Sequence, residues 1–322
     1  MPFKIVVVVG PNASGKSEFA VRLAKKIGGE IISADSRQVY KGLNIGSGKI
    51  TKKEMRGVPH HCLSIANPKK TFTALDFKKC AEKAITMIYH SGKTPIIVGG
   101  TGFYIDAALG RVKLGGVPPN HALRKKLINY STAKLLNYLT KLDPKRAKNI
   151  EQKNPRRLIR AIEMAKHVLV ENLAQRDGAS RAIRQQANMR VFGKKHTSLL
   201  VQWIGIKHPP EELKKRIHNR LLQRLQGIIR ETKQLHKNGV SWKRLFDLGL
   251  EYRYVSLYLR KKLKASLSSR RGGITAKAVT KDEMIQKILT ESWHYAKRQM
   301  TWFKRNKKIK WISNPKSFSI FL

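Results

Sequence analysis

The sequence predicts an α/β protein: a parallel sheet around a phosphate-binding loop, flanked by helices and interrupted by a helical insertion. Three observations carry this prediction. The apolar run Ile5-Val6-Val7-Val8-Val9 leads directly into Gly10-Pro11-Asn12-Ala13-Ser14-Gly15-Lys16-Ser17, the glycine-rich pattern that cradles phosphate between a buried strand and a helix. Short apolar runs then alternate with segments of helical spacing, as strands joined by crossover helices do. From about Pro118 to Gln186 only helical spacing remains, and a core strand returns at Leu199–Ile206. The expected division is a core of residues 1–115 and 198–322 around an insertion of residues 116–197.

The elements follow in order. Lys4–Val9 is the first strand. The helix Glu18–Ile27 puts Phe19, Ala20, Leu23, Ala24 and Ile27 on one face and is stopped by Gly28-Gly29. Glu30–Ala34 is a second short strand whose end delivers Asp35. Thr73 and Asp76 form a capping box for a helix with the stripe Phe77, Cys80, Ala81, Ala84, Ile85 and Ile88. Pro95–Val98 is a strand running into Gly99-Gly100-Thr101-Gly102. Beyond the insertion come long helices over Glu211–His236 and Lys281–Arg305, then a short strand at Lys310–Ile312. Ser266–Gly273, rich in serine, arginine and glycine, is expected to be a mobile loop.

Composition narrows the function. Sixty-seven Lys+Arg against twenty Asp+Glu give a formal charge of +47 over 322 residues. Such an excess points to a polyanionic partner, nucleic acid first and an anionic membrane second. Part of it is background, because lysines are spread along the whole chain, but arginines also cluster. Cys62 and Cys80 are too few for a disulfide framework and wrongly arranged for zinc, which suggests a reduced, cytoplasmic setting. The amino terminus is a β-type run rather than a signal peptide. No segment has the roughly 18 apolar residues that a membrane span needs.

Several residues carry chemistry. Successive N–H groups of the loop can converge on phosphate oxygens, Lys16 neutralises charge, and the Ser17 hydroxyl can hold Mg²⁺. The chain therefore binds a di- or triphosphate. Asp35 stands at a strand end beside the loop, where ligands of open α/β sheets sit. It can be the acidic partner of a metal or accept a proton from a nucleophile, and it can also cap the following turn. At Gly99–Gly102 the backbone and the Thr101 hydroxyl can approach a substrate closely.

Arg156, Arg157 and Arg160 crowd the start of a helix behind Pro155. Cations there oppose the helix dipole, so phosphate-backbone contact explains them better. On the later helix Arg216, Arg220 and Arg224 recur every four residues. Two of the three read as a solvated stripe, and one can grip a phosphate with paired donors. Lys297, Arg298 and Gln299 sit in a segment of mixed bases and aromatics and can face an RNA backbone.

Taken together, Gly10–Ser17, Ile32–Tyr40, Gly99–Tyr104, Asn154–Glu163 and Ala296–Phe303 resemble the tRNA dimethylallyltransferase family, also called tRNA isopentenyltransferases. The segments occur in order across nearly the whole chain. The resemblance implies that Gly10, Pro11, Asn12, Ala13, Ser14, Gly15, Lys16 and Ser17 grip the diphosphate of dimethylallyl diphosphate, with Mg²⁺ on Ser17. It implies transfer of the dimethylallyl group to the exocyclic amine of adenine at tRNA position 37, beside the anticodon, with release of diphosphate. Asp35 then matches the general base, Thr101 a residue near the target base, and Arg220 a diphosphate-binding position. Asp35, Ser36, Arg37, Gln38, Thr101, Arg124, Arg156, Arg157, Leu158, Ile159, Arg160, Lys297, Arg298 and Gln299 fall in tRNA-contacting regions.

The insertion corresponds to a lobe that closes on the anticodon stem. Nothing demands more than a monomer. The sequence departs from the family pattern at Asn12, where threonine is usual, and at Gly46-Ser47-Gly48-Lys49. It has no Cys/His pairs of a zinc-finger tail, which indicates the bacterial type. Two other readings compete. An ATP-dependent P-loop kinase of a small metabolite or nucleoside leaves the basic charge and the arginine helix without a role. An RNA-binding module with a regulatory nucleotide loop leaves Asp35 without one.

Overall fold

The computed structural model describes residues 4–112, 114, 117–176, 200–260 and 280–313. Ser266–Gly273 lies outside the described residues. The chain divides into two compact units, residues 1–112 with 195–322 and residues 113–194.

The first unit is built on a six-stranded parallel sheet. In chain order its elements are β1 (Lys4–Val9), α1 (Lys16–Ile27), β2 (Gly29–Ser33), α2 (Lys52–Met55), β3 (His60–His61), α3 (Ala74–His90), β4 (Thr94–Gly99) and α4 (Gly102–Ala108). The helical unit follows with α5 (His121–Leu127), α6 (Thr132–Leu142), α7 (Pro144–Asn149) and α8 (Pro155–Arg176). The chain then returns to the first unit with β5 (Leu200–Ile206), α9 (Pro210–Lys237), α10 (Trp242–Leu248), α11 (Leu250–Leu259), α12 (Lys281–Phe303) and β6 (Lys310–Ile312).

The strand order is β3-β2-β4-β1-β5-β6, and every pairing is parallel. β1 is central, with Val9 in register with Gly99 on one side and Gly205 on the other. Because β1 is buried on both faces it reads as a continuous apolar run, as strands covered by two helical layers do. Ile5, Val7 and Val9 pack with Phe77, Ala81, Ile85 and Ile88 of α3. Val6 and Val8 pack with Phe19, Ala20, Leu23 and Ala24 of α1. The stripes predicted for these two helices are thus the two faces of the core.

Two local features differ from the sequence reading. Gly28 caps α1 in the left-handed region (φ 61), whereas Gly29 belongs to β2, where a Cβ would stand 2.7 Å from Ile96 Cδ1 and 2.8 Å from the Thr94 carbonyl. Cys62 and Cys80, expected as two free thiols, are paired with each other (Cα–Cα 6.2 Å). Cys62 turns in at φ 57 directly after β3, and Cys80 lies on the α3 face that packs on the sheet, so the fold brings them within bonding reach. Thr73 and Asp76 do form the predicted capping box, and the same device opens α2 (Thr51, Glu54) and α12 (Thr280, Glu283). No helix among the described residues is long and apolar enough to cross a membrane.

Candidate active site

The loop after β1 takes the conformation its sequence demands. Ala13 (φ 62) and Gly15 (φ 84) are left-handed, a turn that aims consecutive N–H groups at one point. At Gly10 a Cβ would come within 2.7 Å of the Ile206 carbonyl, so only glycine lets β5 pass this closely. α1 starts at Lys16 with no side-chain cap on its amino terminus. Its first-turn N–H groups therefore remain open, and the helix dipole favours an anion there. The Ser14 hydroxyl is buried without a hydrogen-bond partner among the described residues, a donor left at the centre of the loop.

Lys16 Nζ donates to the Pro11 carbonyl at 3.0 Å. Burial pushes its ammonium down to about 8, against the pull of Asp35 and assisted by the like charge of Arg220. The lysine thus already shares a field with two of the residues assigned to chemistry from the sequence, Asp35 and Arg220. Asp35 follows the carboxyl end of β2. Its Oδ1 accepts from the N–H groups of Arg37 (2.8 Å) and Gln38 (3.2 Å), so the turn-capping role is real. Its Oδ2 has no partner among the described residues, and Asp35 lines a cavity of about 350 Å³ with Lys16, Ser17, Ser36, Arg37, Gln38, Arg220 and Arg298. One oxygen fixes the side chain and the other is available.

The turn after β4 is tied to two residues of the cavity wall, Ser36 and Tyr295. Thr101 Oγ1 accepts from the Ser36 N–H at 3.1 Å and shares a hydrogen bond with Tyr295, whose phenol burial pushes up to about 12. Gln299 is buried and joins two loops: its Oε1 accepts from the Asn12 N–H (2.8 Å) and its Nε2 donates to the Gly100 carbonyl (2.9 Å). Both polar ends of Gln299 are engaged inside the protein, so its work here is to hold the phosphate loop against the β4–α4 turn. Lys297 and Arg298, its neighbours on α12, are exposed.

Arg220 also lines the cavity and donates from Nη2 to the Gly48 carbonyl at 3.1 Å. Arg216 pairs with Glu212 on the surface (2.7 Å), as the solvated-stripe reading expects. Arg224 departs from that reading. It turns into the cavity, donates to the Ile45 carbonyl at 2.6 Å and stands 4.0 Å from Glu251. Burial drives the Glu251 carboxyl up, against the pull of Arg224. No role was assigned to Glu251 or Tyr252 from the sequence, where Gly249-Leu250-Glu251-Tyr252 matches the family pattern only approximately.

No cluster of three or more His, Cys, Asp or Glu side chains that could hold a metal ion occurs among the described residues. A divalent cation at this site would take one protein hydroxyl, Ser17, and complete its shell with ligand oxygens. That suits Mg²⁺, which favours few protein donors plus phosphate and water. The donor set fits.

The helical unit carries its own charged network. Glu163 is 2% exposed and accepts from Arg124 Nε and Nη2 (both 2.7 Å), from Arg160 Nη1 (3.1 Å) and from the Asn120 N–H (2.9 Å). Burial raises this carboxyl, but those bonds outweigh it and hold it below the usual range. Leu158 (0% exposed) and Ile159 (8%) belong to the core of the unit with Leu127, Leu135 and Leu139. This corrects their assignment to RNA contact: a motif taken as a contiguous run includes its inward-facing positions. Arg156 and Arg157 are exposed, and among the described residues the Arg157 side chain makes only a surface pair with Glu151 at 3.3 Å.

A strand-loop-helix with left-handed turn geometry, an uncapped helix start, a buried lysine and a facing carboxylate define a P-loop-type phosphate-binding α/β protein. A family model described as IPP transferase matches residues 38–306. The chain is 38% identical over 312 residues, 95% of each chain, to tRNA dimethylallyltransferase 2 of Treponema denticola. It is 35% identical over 310 residues, 96% of this chain and 90% of the relative, to tRNA dimethylallyltransferase of Anoxybacillus flavithermus. The crystal structure of the full-length tRNA isopentenylpyrophosphate transferase of Bacillus halodurans superposes with a TM-score of 0.64 at 32% identity, covering 98% of this chain and 92% of that one. A eukaryotic dimethylallyltransferase acting on tRNA shares the fold, with a TM-score of 0.70 at 23% identity over 98% of this chain and 75% of that one. The chain belongs to the IPP transferase family, whose curated relatives are tRNA dimethylallyltransferases.

Proposed function

We infer that this protein transfers the dimethylallyl group of dimethylallyl diphosphate to the exocyclic amine of the adenine at tRNA position 37. The observation that carries this reading is the sharing of one cavity by an anion cradle and an available carboxylate: Lys16, Ser17, Arg220 and Asp35 all line it.

The adenine amine is a weak nucleophile because its lone pair is delocalised into the ring. As its nitrogen bonds to the allylic carbon, the carbon–oxygen bond to diphosphate breaks and Asp35 Oδ2 accepts the amine proton. An allylic diphosphate ionises early, so charge grows on the departing oxygens. The loop N–H groups, Lys16 and Arg220 are suited to stabilise that charge from fixed positions. Ser17 would hold Mg²⁺, which would supply further neutralisation of the leaving group. Thr101, bonded to Ser36 and Tyr295, is read as orienting the base. The base itself must leave its stack to enter the cavity, which is cheap in a single-stranded loop.

The experiment uses Mg²⁺, dimethylallyl diphosphate and an unmodified anticodon stem-loop bearing adenine at the target site. The RNA is expected to gain the mass of one five-carbon prenyl group. No gain, together with ATP turnover on a small acceptor, would instead support the kinase.

The helical unit is proposed to grip the anticodon stem through Arg156 and Arg157, with the protein acting as a cytoplasmic monomer. Arg157→Ala is expected to weaken stem-loop binding and to lower the dependence of log Kd on log salt by about one, the contribution of one phosphate contact. Arg124→Ala is expected to act differently. It leaves the buried Glu163 carboxylate short of its bidentate partner, so the melting temperature falls while the salt slope is unchanged. Titrations at several salt concentrations check both; an unchanged slope for Arg157→Ala returns that residue to an ordinary surface arginine.

A further inference from the structure

The segment between β2 and α2 runs along α9, where one carboxylate gathers its amides. Glu231 Oε2 accepts from the N–H groups of Asn44 (2.8 Å) and Ile45 (2.7 Å), and Oε1 accepts from Gly46 N–H (2.9 Å) and from the Tyr252 hydroxyl (2.7 Å). The same hydroxyl accepts from the Ser47 N–H at 3.1 Å. Four consecutive amides thus end on one Glu-Tyr pair. At Gly46 a Cβ would stand 2.6 Å from the Tyr252 ring, so the absent side chain lets the ring close on the backbone.

Two carbonyls of this segment are held by arginines of the same helix. The Ile45 carbonyl accepts from Arg224 (2.6 Å) and the Gly48 carbonyl from Arg220 (3.1 Å). Gly48 is left-handed (φ 59), and a Cβ there would collide with Arg220 Nη2. Only one nitrogen of the Arg220 guanidinium is engaged, and its other donors have no partner among the described residues.

We propose that Glu231 is a positioning residue for the leaving group: its carboxylate fixes residues 44–48, whose Gly48 carbonyl aims Arg220 at the phosphate cavity. The chemistry requires a carboxylate. Four donors converge on two oxygens, and an amide in its place would present N–H groups to N–H groups. The inference rests on the reading of the cavity as a diphosphate site.

The test measures Mg²⁺-pyrophosphate binding by calorimetry for wild type, Glu231→Gln, Arg220→Ala and the double variant, with melting temperatures alongside. Each single variant is expected to bind about tenfold more weakly, and the double variant to lose less than the product of the two, as coupled positions do. In turnover, Glu231→Gln should raise KM for dimethylallyl diphosphate and leave KM for the stem-loop unchanged, a split that general loosening of the fold does not give. Multiplicative losses, or wild-type pyrophosphate affinity in Glu231→Gln, overturn the proposal. Failure of wild type itself to bind pyrophosphate would instead overturn the diphosphate reading. Should Glu231→Gln not fold, Tyr252→Phe decides. It removes one donor to Glu231 and the acceptor of Ser47, and its smaller loss must shrink in the Arg220→Ala background; an undiminished loss there also overturns the proposal.

Discussion

Asp35→Asn is expected to lower kcat for prenyl transfer by about 10²–10⁴-fold, the usual worth of a positioned general base. Binding of pyrophosphate and of the stem-loop should stay close to wild type. The substitution is chosen for its geometry. Asparagine keeps a carbonyl oxygen where Oδ1 accepts from Arg37 and Gln38, so the turn after β2 retains its cap. What it lacks is an oxygen able to take up a proton. A structural role alone predicts a variant with near-normal turnover. Single-turnover rates with both substrates saturating separate the two, and a rate within threefold of wild type would sink the general-base assignment.

Lys16→Met is expected to be nearly as damaging, about 10²–10³-fold in kcat, by analogy with removal of one preorganised donor from a developing anion. It also carries a pH signature. In the free protein burial lowers the lysine to about 8, so it is charged below that pH and loses its proton above it. A bound diphosphate favours the ammonium and raises the value again. Between the two values, binding takes up a proton, so affinity is flat below pH 8 and weakens as pH rises beyond it. Pyrophosphate titrates too, but that contribution is common to both proteins. The difference between wild type and Lys16→Met therefore isolates the lysine, and identical pH profiles would refute its role.

The parts of the site that were legible in the sequence are those whose cause is local. Gly10–Ser17 dictates its own turn. Asp35 is delivered by the end of a strand, and the β4 turn is marked by its glycines. The parts that were not legible are set by contacts across the chain. Glu231 meets the Asn44–Gly46 amides across 185 to 187 residues, and on α9 it looks like any exposed acid beside Arg230. Arg224 shares the four-residue repeat of Arg216, yet one turns inward and the other outward. β3, at two residues, is too short for any periodicity. Leu158 and Ile159 could have been recognised. With Leu127, Leu135, Ala161 and Ile162 in the same core, their helical spacing marks an inward face, which the arginines around them obscured.

The position of β1 between β4 and β5 has a consequence for how the chain assembles. Val6 meets Ile96 about ninety residues later and Gln202 nearly two hundred residues later, with the helical unit made in between. On the ribosome, the amino-terminal third therefore waits with one edge of its innermost strand bare while the helical unit forms. Such distant closure is slow, and domains emerging during synthesis fold as units. A nascent chain arrested before Leu200 should hold its helices yet offer an open parallel edge, the stage at which this protein most needs a chaperone.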